Sequence, residues 1–117
     1  MQKQDCYKAF ELMTIGMIEK SKEKLIQSMS IDSHLHHMTG LVETREEYIK
    51  DILNETLNYY DYEIISFDFH YDEAIVMIRL LAKVYGGLKS WWKLKMNIKF
   101  VEEDGMTKVQ NCKVHIG

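Results

Sequence analysis

Residues 91–100 read "WWKLKMNIKF". Trp92, Leu94, Met96, Ile98 and Phe100 occupy every second position, and Trp91, Lys93, Lys95, Asn97 and Lys99 fill the places between them. Successive side chains leave a β-strand on opposite sides, so this alternation predicts a strand with one apolar, buried face and one wet face. A helix would scatter the same five apolar residues around its circumference. The rest of the chain must therefore supply the partners of that strand and whatever covers its apolar face.

Toward the C-terminus, "EEDG" at 102–105 turns the chain back into a last strand, Met106 to His115, as a hairpin. In the other direction, Gly86-Gly87 marks a bend. Before it runs Ala74 to Tyr85, apolar at Ala74, Val76, Ile78 and Leu80 and also at Ile75, Met77 and Leu81. A strand apolar on both faces needs cover on both sides. Tyr71-Asp72-Glu73 forms the preceding turn, and from Tyr59 onward Ile65, Phe67 and Phe69 alternate with Ser66, Asp68 and His70. Four strands in sequence predict an antiparallel meander.

The first half of the chain carries helical spacing instead. Asp5 is placed to cap a first helix with Cys6, Phe10, Met13 and Met17 on one stripe, and Ser21 to cap a second, shorter one bearing Leu25, Ile26 and Met29. Thr44-Arg45-Glu46-Glu47 is a capping box, in which a hydroxyl and a carboxylate each satisfy an orphan backbone amide. It opens a third helix over Arg45 to Leu57. Between the second and third helices, Ile31 to Thr39 is a short strand ended by Gly40. The expectation is a single α+β domain over residues 1–117, with helices on one side of a curved antiparallel sheet. The other side of the sheet is expected to meet a second copy in a C2 homodimer.

Composition narrows the function classes. Fifteen Lys and Arg against 18 Asp and Glu give a formal charge of −3, without the basic excess of a nucleic-acid binder. The N-terminal residues lack the pattern of a signal peptide and no apolar run reaches the length of a membrane span, so a cytoplasmic location without a membrane partner is expected. Cys6 and Cys112 have no CxxC spacing and read as small buried thiols. No Ser-His-Asp or Cys-His arrangement and no phosphate-cradling glycine loop stands out, so no cofactor is implied.

Three of the five histidines crowd into "SHLHHMTG", Ser33 to Gly40. In a strand His34 and His36 share one face and His37 takes the other, so at most two of them reach one ion directly, whereas a zinc site needs about three or four protein ligands. The expectation is no metal here.

The order of elements, with "HHMTG" followed by "TREEYIKDI", then "TLNYYDYEI", then "YGGLKSWWKLKMNIKFVEEDG", resembles the nuclear transport factor 2-like superfamily and, within it, the SnoaL-like and steroid-isomerase-like bacterial proteins. Many relatives carry a Trp just after the "DG" turn, where this chain has Met106-Thr107. The resemblance implies a cone in which the sheet wraps around the long first helix, leaving a largely apolar pocket at the open end. Such a pocket suits a small apolar or aromatic molecule. In the isomerase branch a carboxylate base stands near the end of the first short strand; matching its glycine to Gly40 places His37 there. Imidazole can serve as a general base, with an ordinary pKa of about 6.5. The isomerase tyrosine falls at about Met13, which donates no hydrogen bond, and the strand expected to hold its partner aspartate offers Arg79 and Lys83.

The candidate ligand-binding residues are thus Met13, Met17, His37, Tyr59, Trp92 and Met96, with His37 the candidate base. Small-molecule binding is the leading reading. The alternatives are an isomerase-, dehydratase- or cyclase-like enzyme using His37, and a protein-interaction module acting through the sheet face.

Overall fold

The computed structural model describes all 117 residues. Three helices, α1 (Lys3–Glu19), α2 (Lys22–Ser28) and α3 (Arg45–Leu53), combine with six strands, β1 (Met29–His36), β2 (Val42–Thr44), β3 (Leu57–His70), β4 (Glu73–Val84), β5 (Ser90–Glu103) and β6 (Met106–Ile116). The strands form one open sheet in the order β2-β1-β6-β5-β4-β3. The meander β3 to β6 is antiparallel as the sequence predicts. The whole sheet is mixed, because β1 runs parallel to β6. That pairing corrects the all-antiparallel expectation: the alternation that identifies a strand does not specify the direction of its neighbour.

Local chemistry explains the other departures. β1 starts at Met29 and ends at His36, so Met38 and Thr39 belong to a turn closed by Gly40 at φ +94°, where a side chain would be strained. The three-residue strand β2, unforeseen in the sequence, pairs Val42 with His36 and Thr44 with His34. Helix α3 keeps its capping box but stops at Leu53 rather than Leu57, since Asn54 and the left-handed Glu55 (φ +66°) turn the chain into β3. The first helix begins after Gln2 rather than Asp5. No helix is long and apolar enough to cross a membrane.

The core lies between α1 and the concave face of the sheet. Cys6, Phe10, Met13 and Met17 from α1 meet Phe67, Val76, Ile78, Leu80, Leu94, Met96, Ile98 and Phe100 from the strands. Bulges at Tyr59/Asp61 and Ile64/Ser66 in β3 and at Lys99/Phe100 between β5 and β6 add local twist, which bends the sheet around the helix.

Helix α2 is held against α1 at Gly16, where a Cβ would stand 3.1 Å from Leu25 Cγ and 3.2 Å from Lys24 Cβ. Gly16→Ala is expected to raise helix propensity locally yet destabilise the protein by about 1 kcal/mol through overpacking. Urea unfolding monitored by circular dichroism measures this; an unchanged or raised midpoint contradicts it.

Candidate functional site

The concave face is not filled to its end. A cavity of about 280 Å³ lies between the C-terminal half of α1, the start of α3, β1 and the meander. Of its 18 lining residues, His37 and Thr39 are the two that are not hydrophobic. Met13 and Met17 reach it from the buried stripe of α1, and Trp92, Leu94 and Met96 from β5. Trp91, its neighbour, points to the opposite face of the sheet, as strand alternation requires. All six candidate ligand contacts, Met13, Met17, His37, Tyr59, Trp92 and Met96, line this one cavity. Met38 and Thr39 from the turn and Tyr85 from the end of β4 stand at its rim, exposed.

His37 follows β1 directly and shares the inward side with Leu35, which also lines the cavity. His34 is exposed and His36 half-buried, while His70 meets Tyr71 edge-on with ring centroids 4.4 Å apart. The histidines therefore do not converge, and no group of three or more His, Cys, Asp or Glu side chains is placed to hold a metal.

Two residues not foreseen as part of the site stand beside His37. Glu43, the middle residue of β2, places Oε1 2.5 Å from His37 Nε2, and only 6% of its side chain and 12% of the histidine's is exposed. Burial penalises both charges. It pushes the Glu43 carboxyl up to about 8, helped by a hydrogen bond to Asp51 and by the negative charges of Asp51 and Glu47. It also holds His37 below its ordinary 6.5, against the opposing charge of Asp51. The pair is thus uncharged near neutrality, with the Glu43 hydroxyl donating to Nε2 and the ring's other proton on Nδ1.

Tyr48 on α3 is the second addition. It packs with its ring centroid 5.8 Å from that of His37, and its hydroxyl donates to the Tyr59 oxygen at 3.1 Å. Burial raises both phenols, so both stay protonated. Two hydroxyl protons with one shared contact leave one proton unspent, on a wall of the cavity. Cys112 also lines the wall, its thiol pushed up to about 12 by burial and therefore unreactive as a nucleophile.

The signals for both additions were weak but present. A Tyr inside an apolar helical stripe must find a partner for its hydroxyl once buried. Glu43 precedes a capping box, and alternation around it in even three extended residues turns it to the buried side.

The architecture is an open α+β cone holding an apolar cavity with a small polar corner. This is the nuclear transport factor 2-like fold. No protein-family model matches the chain, and no curated protein matches its sequence. Solved structures do match. An NTF2-like protein from Cytophaga hutchinsonii superposes with a TM-score of 0.74 at 15% identity, over 100% of both chains. A candidate calcium/calmodulin-dependent kinase II association domain from Exiguobacterium sibiricum gives 0.79 at 11% identity, over 97% of this chain and 92% of that one. An LEH-like epoxide hydrolase from M. tuberculosis gives 0.77 at 7% identity, over 97% and 84%. At these identities the likeness is one of fold.

The raised Glu43 carboxyl has a consequence for stability. Between the ordinary 4.5 and about 8 the folded chain holds a proton that the unfolded chain releases, so this group's contribution falls as pH rises through that window. His37, held below 6.5, acts oppositely on the acid side, where stability is gained as pH rises toward 6.5. Glu43→Gln is expected to abolish the alkaline decline between about pH 6.5 and 8.5. Thermal melts across this range check it; parallel curves for the two proteins contradict it.

Proposed function

We propose that the chain binds a small, uncharged, largely apolar or aromatic molecule in the cone. The observation that carries this reading is the cavity itself: about 280 Å³, hydrophobic at all but two of its lining residues. That size lies just under the ~300–1,000 Å³ span of small-molecule sites, which fits a small ligand. A formal charge on the ligand would find no opposite charge waiting, because His37 and Glu43 are each held uncharged near neutrality. A hydrogen-bonding group would find the unspent tyrosine proton and His37 Nδ1, neither of which has a protein acceptor or donor.

Calorimetric titration with 2-naphthol, a neutral bicyclic probe, is expected to give one site per chain. Met17→Trp, which fills the cavity, is expected to weaken binding by at least about tenfold, or ~1.4 kcal/mol. Absence of binding, or binding indifferent to Met17→Trp, argues against the cavity as the site. Native mass spectrometry of protein purified from its own host is the complementary measurement, since it reports a retained ligand by its mass.

A second reading is favoured by the 2.5 Å contact between His37 and Glu43. Here the chain is an isomerase-, dehydratase- or cyclase-like enzyme with His37 as general base, and the resemblance in fold to a protein described as an epoxide hydrolase supports catalysis in such a cone. Loss of the Glu43 proton turns its carboxylate into the acceptor of Nε2–H, which frees the Nδ1 lone pair to take a proton from a substrate. A tyrosine hydroxyl of the Tyr48–Tyr59 pair would hold the oxyanion that develops. Deuterium exchange α to the carbonyl of 2-tetralone in heavy water tests this chemistry without knowledge of the natural substrate. The catalysed rate is expected to rise as pH passes about 8 and to fall by about 10²–10⁴ in His37→Ala. Exchange no faster than in buffer removes the enzyme reading while leaving the binding reading intact.

A further inference from the structure

A second cleft, of about 300 Å³, lies over β4, β5 and β6, with Asn97, Lys99, Asn111 and Lys113 in its lining. The pairing register builds it. Lys99 of β5 stands opposite Asn111 of β6, and Asn97 stands opposite Lys113 in the next row. Residues opposite one another in antiparallel strands share a face, so the four form a square with lysines on one diagonal and carboxamides on the other. Diagonal neighbours are about 7–8 Å apart, a span that two lysine side chains can close on one small guest. Both lysines are exposed and neither has an ion-pair partner. Lys95 and His115 form the row beyond, and His34 and His36 of β1 stand beside Asn111 and Lys113. The square therefore sits among groups that are positive or can become so.

Two further groups make this more than a patch of positive charge. Asn111 Oδ1 is buried and has no hydrogen-bond partner. Glu73 of β4 lines the same cleft, opposite Lys99 in register, yet the two are not ion-paired. A carboxylate and an amide oxygen accept hydrogen bonds and do not donate them. The lysine diagonal thus asks for negative charge, while the two unpaired acceptors ask for a hydrogen-bond donor. One class of small group brings both: an oxyanion that still carries a proton. Hydrogen phosphate is such a group, since its P–O oxygens accept from the ammoniums and its O–H donates. Sulfate, fully deprotonated, is repelled by Glu73 and leaves Asn111 Oδ1 unsatisfied, so the cleft selects against it. The volume leaves room beside a tetrahedral oxyanion for an organic substituent.

We propose that the cleft over β4, β5 and β6 binds a hydrogen phosphate group, free or as a monoester, with Lys99 and Lys113 holding its charge and Glu73 and Asn111 Oδ1 as acceptors for its O–H. This site lies on the face of the sheet turned away from α1 and is independent of what the cone cavity binds.

Calorimetric titration of the full chain with inorganic phosphate, glycerol 3-phosphate and sulfate is the test, in low salt and at about pH 6, near the second pKa of phosphate monoesters. At least one of the two phosphates is expected to bind with a dissociation constant below about 1 mM, and sulfate at least about tenfold more weakly. The tighter of the two identifies the source as free or esterified phosphate. Lys99→Ala and Lys113→Ala are each expected to weaken phosphate binding by at least about tenfold, and Lys3→Ala, on α1 across the sheet, to leave it unchanged. Glu73→Gln is expected to narrow the preference for phosphate over sulfate by at least about threefold. All four positions are exposed, and circular dichroism checks that each variant keeps the fold. The proposal is overturned if neither phosphate binds at about 10 mM, or if sulfate binds as tightly as phosphate. It is equally overturned by a preference indifferent to Glu73→Gln, or by lysine variants that weaken binding no more than Lys3→Ala does.

Discussion

One helix is asked to cover a sheet that is both wider and longer than itself. Helix α1 has 17 residues, a length of about 25 Å and a diameter of about 10–12 Å. Strands β3 and β5 have 14 residues each and, even bent within a molecule 38 Å long, outreach the helix. Curling the sheet through its bulges narrows the mismatch but does not remove it. The two short helices cover part of what is left, and the remainder stays as a cavity whose walls are the inward faces of strands that would otherwise belong to the core. Its apolar character needs no separate explanation: Leu80, Leu94 and Met96 alternate inward for the same reason as Val76, Ile78 and Ile98 further along the same strands.

The polar corner follows a different logic. Removing a carboxyl and an imidazole from water together is tolerable when one proton is shared between them, since neither then bears its full charge. Asp51, half-buried on α3, keeps this balance from tipping toward a carboxylate at neutral pH by adding a like charge nearby. The tyrosine pair is satisfied in the same economical way, each hydroxyl solving part of the other's need. The result is a set of hydrogen-bonding groups at one end of an oily space, uncharged overall and held by three elements, β2, α3 and β3, that come from separate parts of the chain.

Much of this was legible in the sequence. The period-two run from Trp91 to Phe100 located the inward face on which Trp92 and Met96 stand, and the period of the first helix placed Met13 and Met17 on its buried stripe. The resemblance to the isomerase branch, with its glycine matched to Gly40, singled out His37. What escaped was everything that depends on which distant segment lies alongside: the parallel partnership of β1 with β6, the small strand β2, and hence Glu43 as the neighbour of His37. Tyr48 sits at helical spacing with Ile49 and Ile52 on α3, and only the approach of β3 gives its hydroxyl a partner in Tyr59. Periodicity reports which way a side chain faces; it carries no information about what arrives opposite.

The parallel pairing has an implication for how the molecule is made. β1 borders β6, so a strand near the start of the chain acquires its inner neighbour only when the last eleven residues of secondary structure are in place. Until then β2 is the one strand beside His34 to His36, and a two-stranded ribbon is marginal in water without the packing that α2 and α3 add. On a ribosome the cavity wall that bears His37 is therefore among the last parts to settle. A nascent chain halted before β6 would keep α1 exposed along the stripe that β6 should cover.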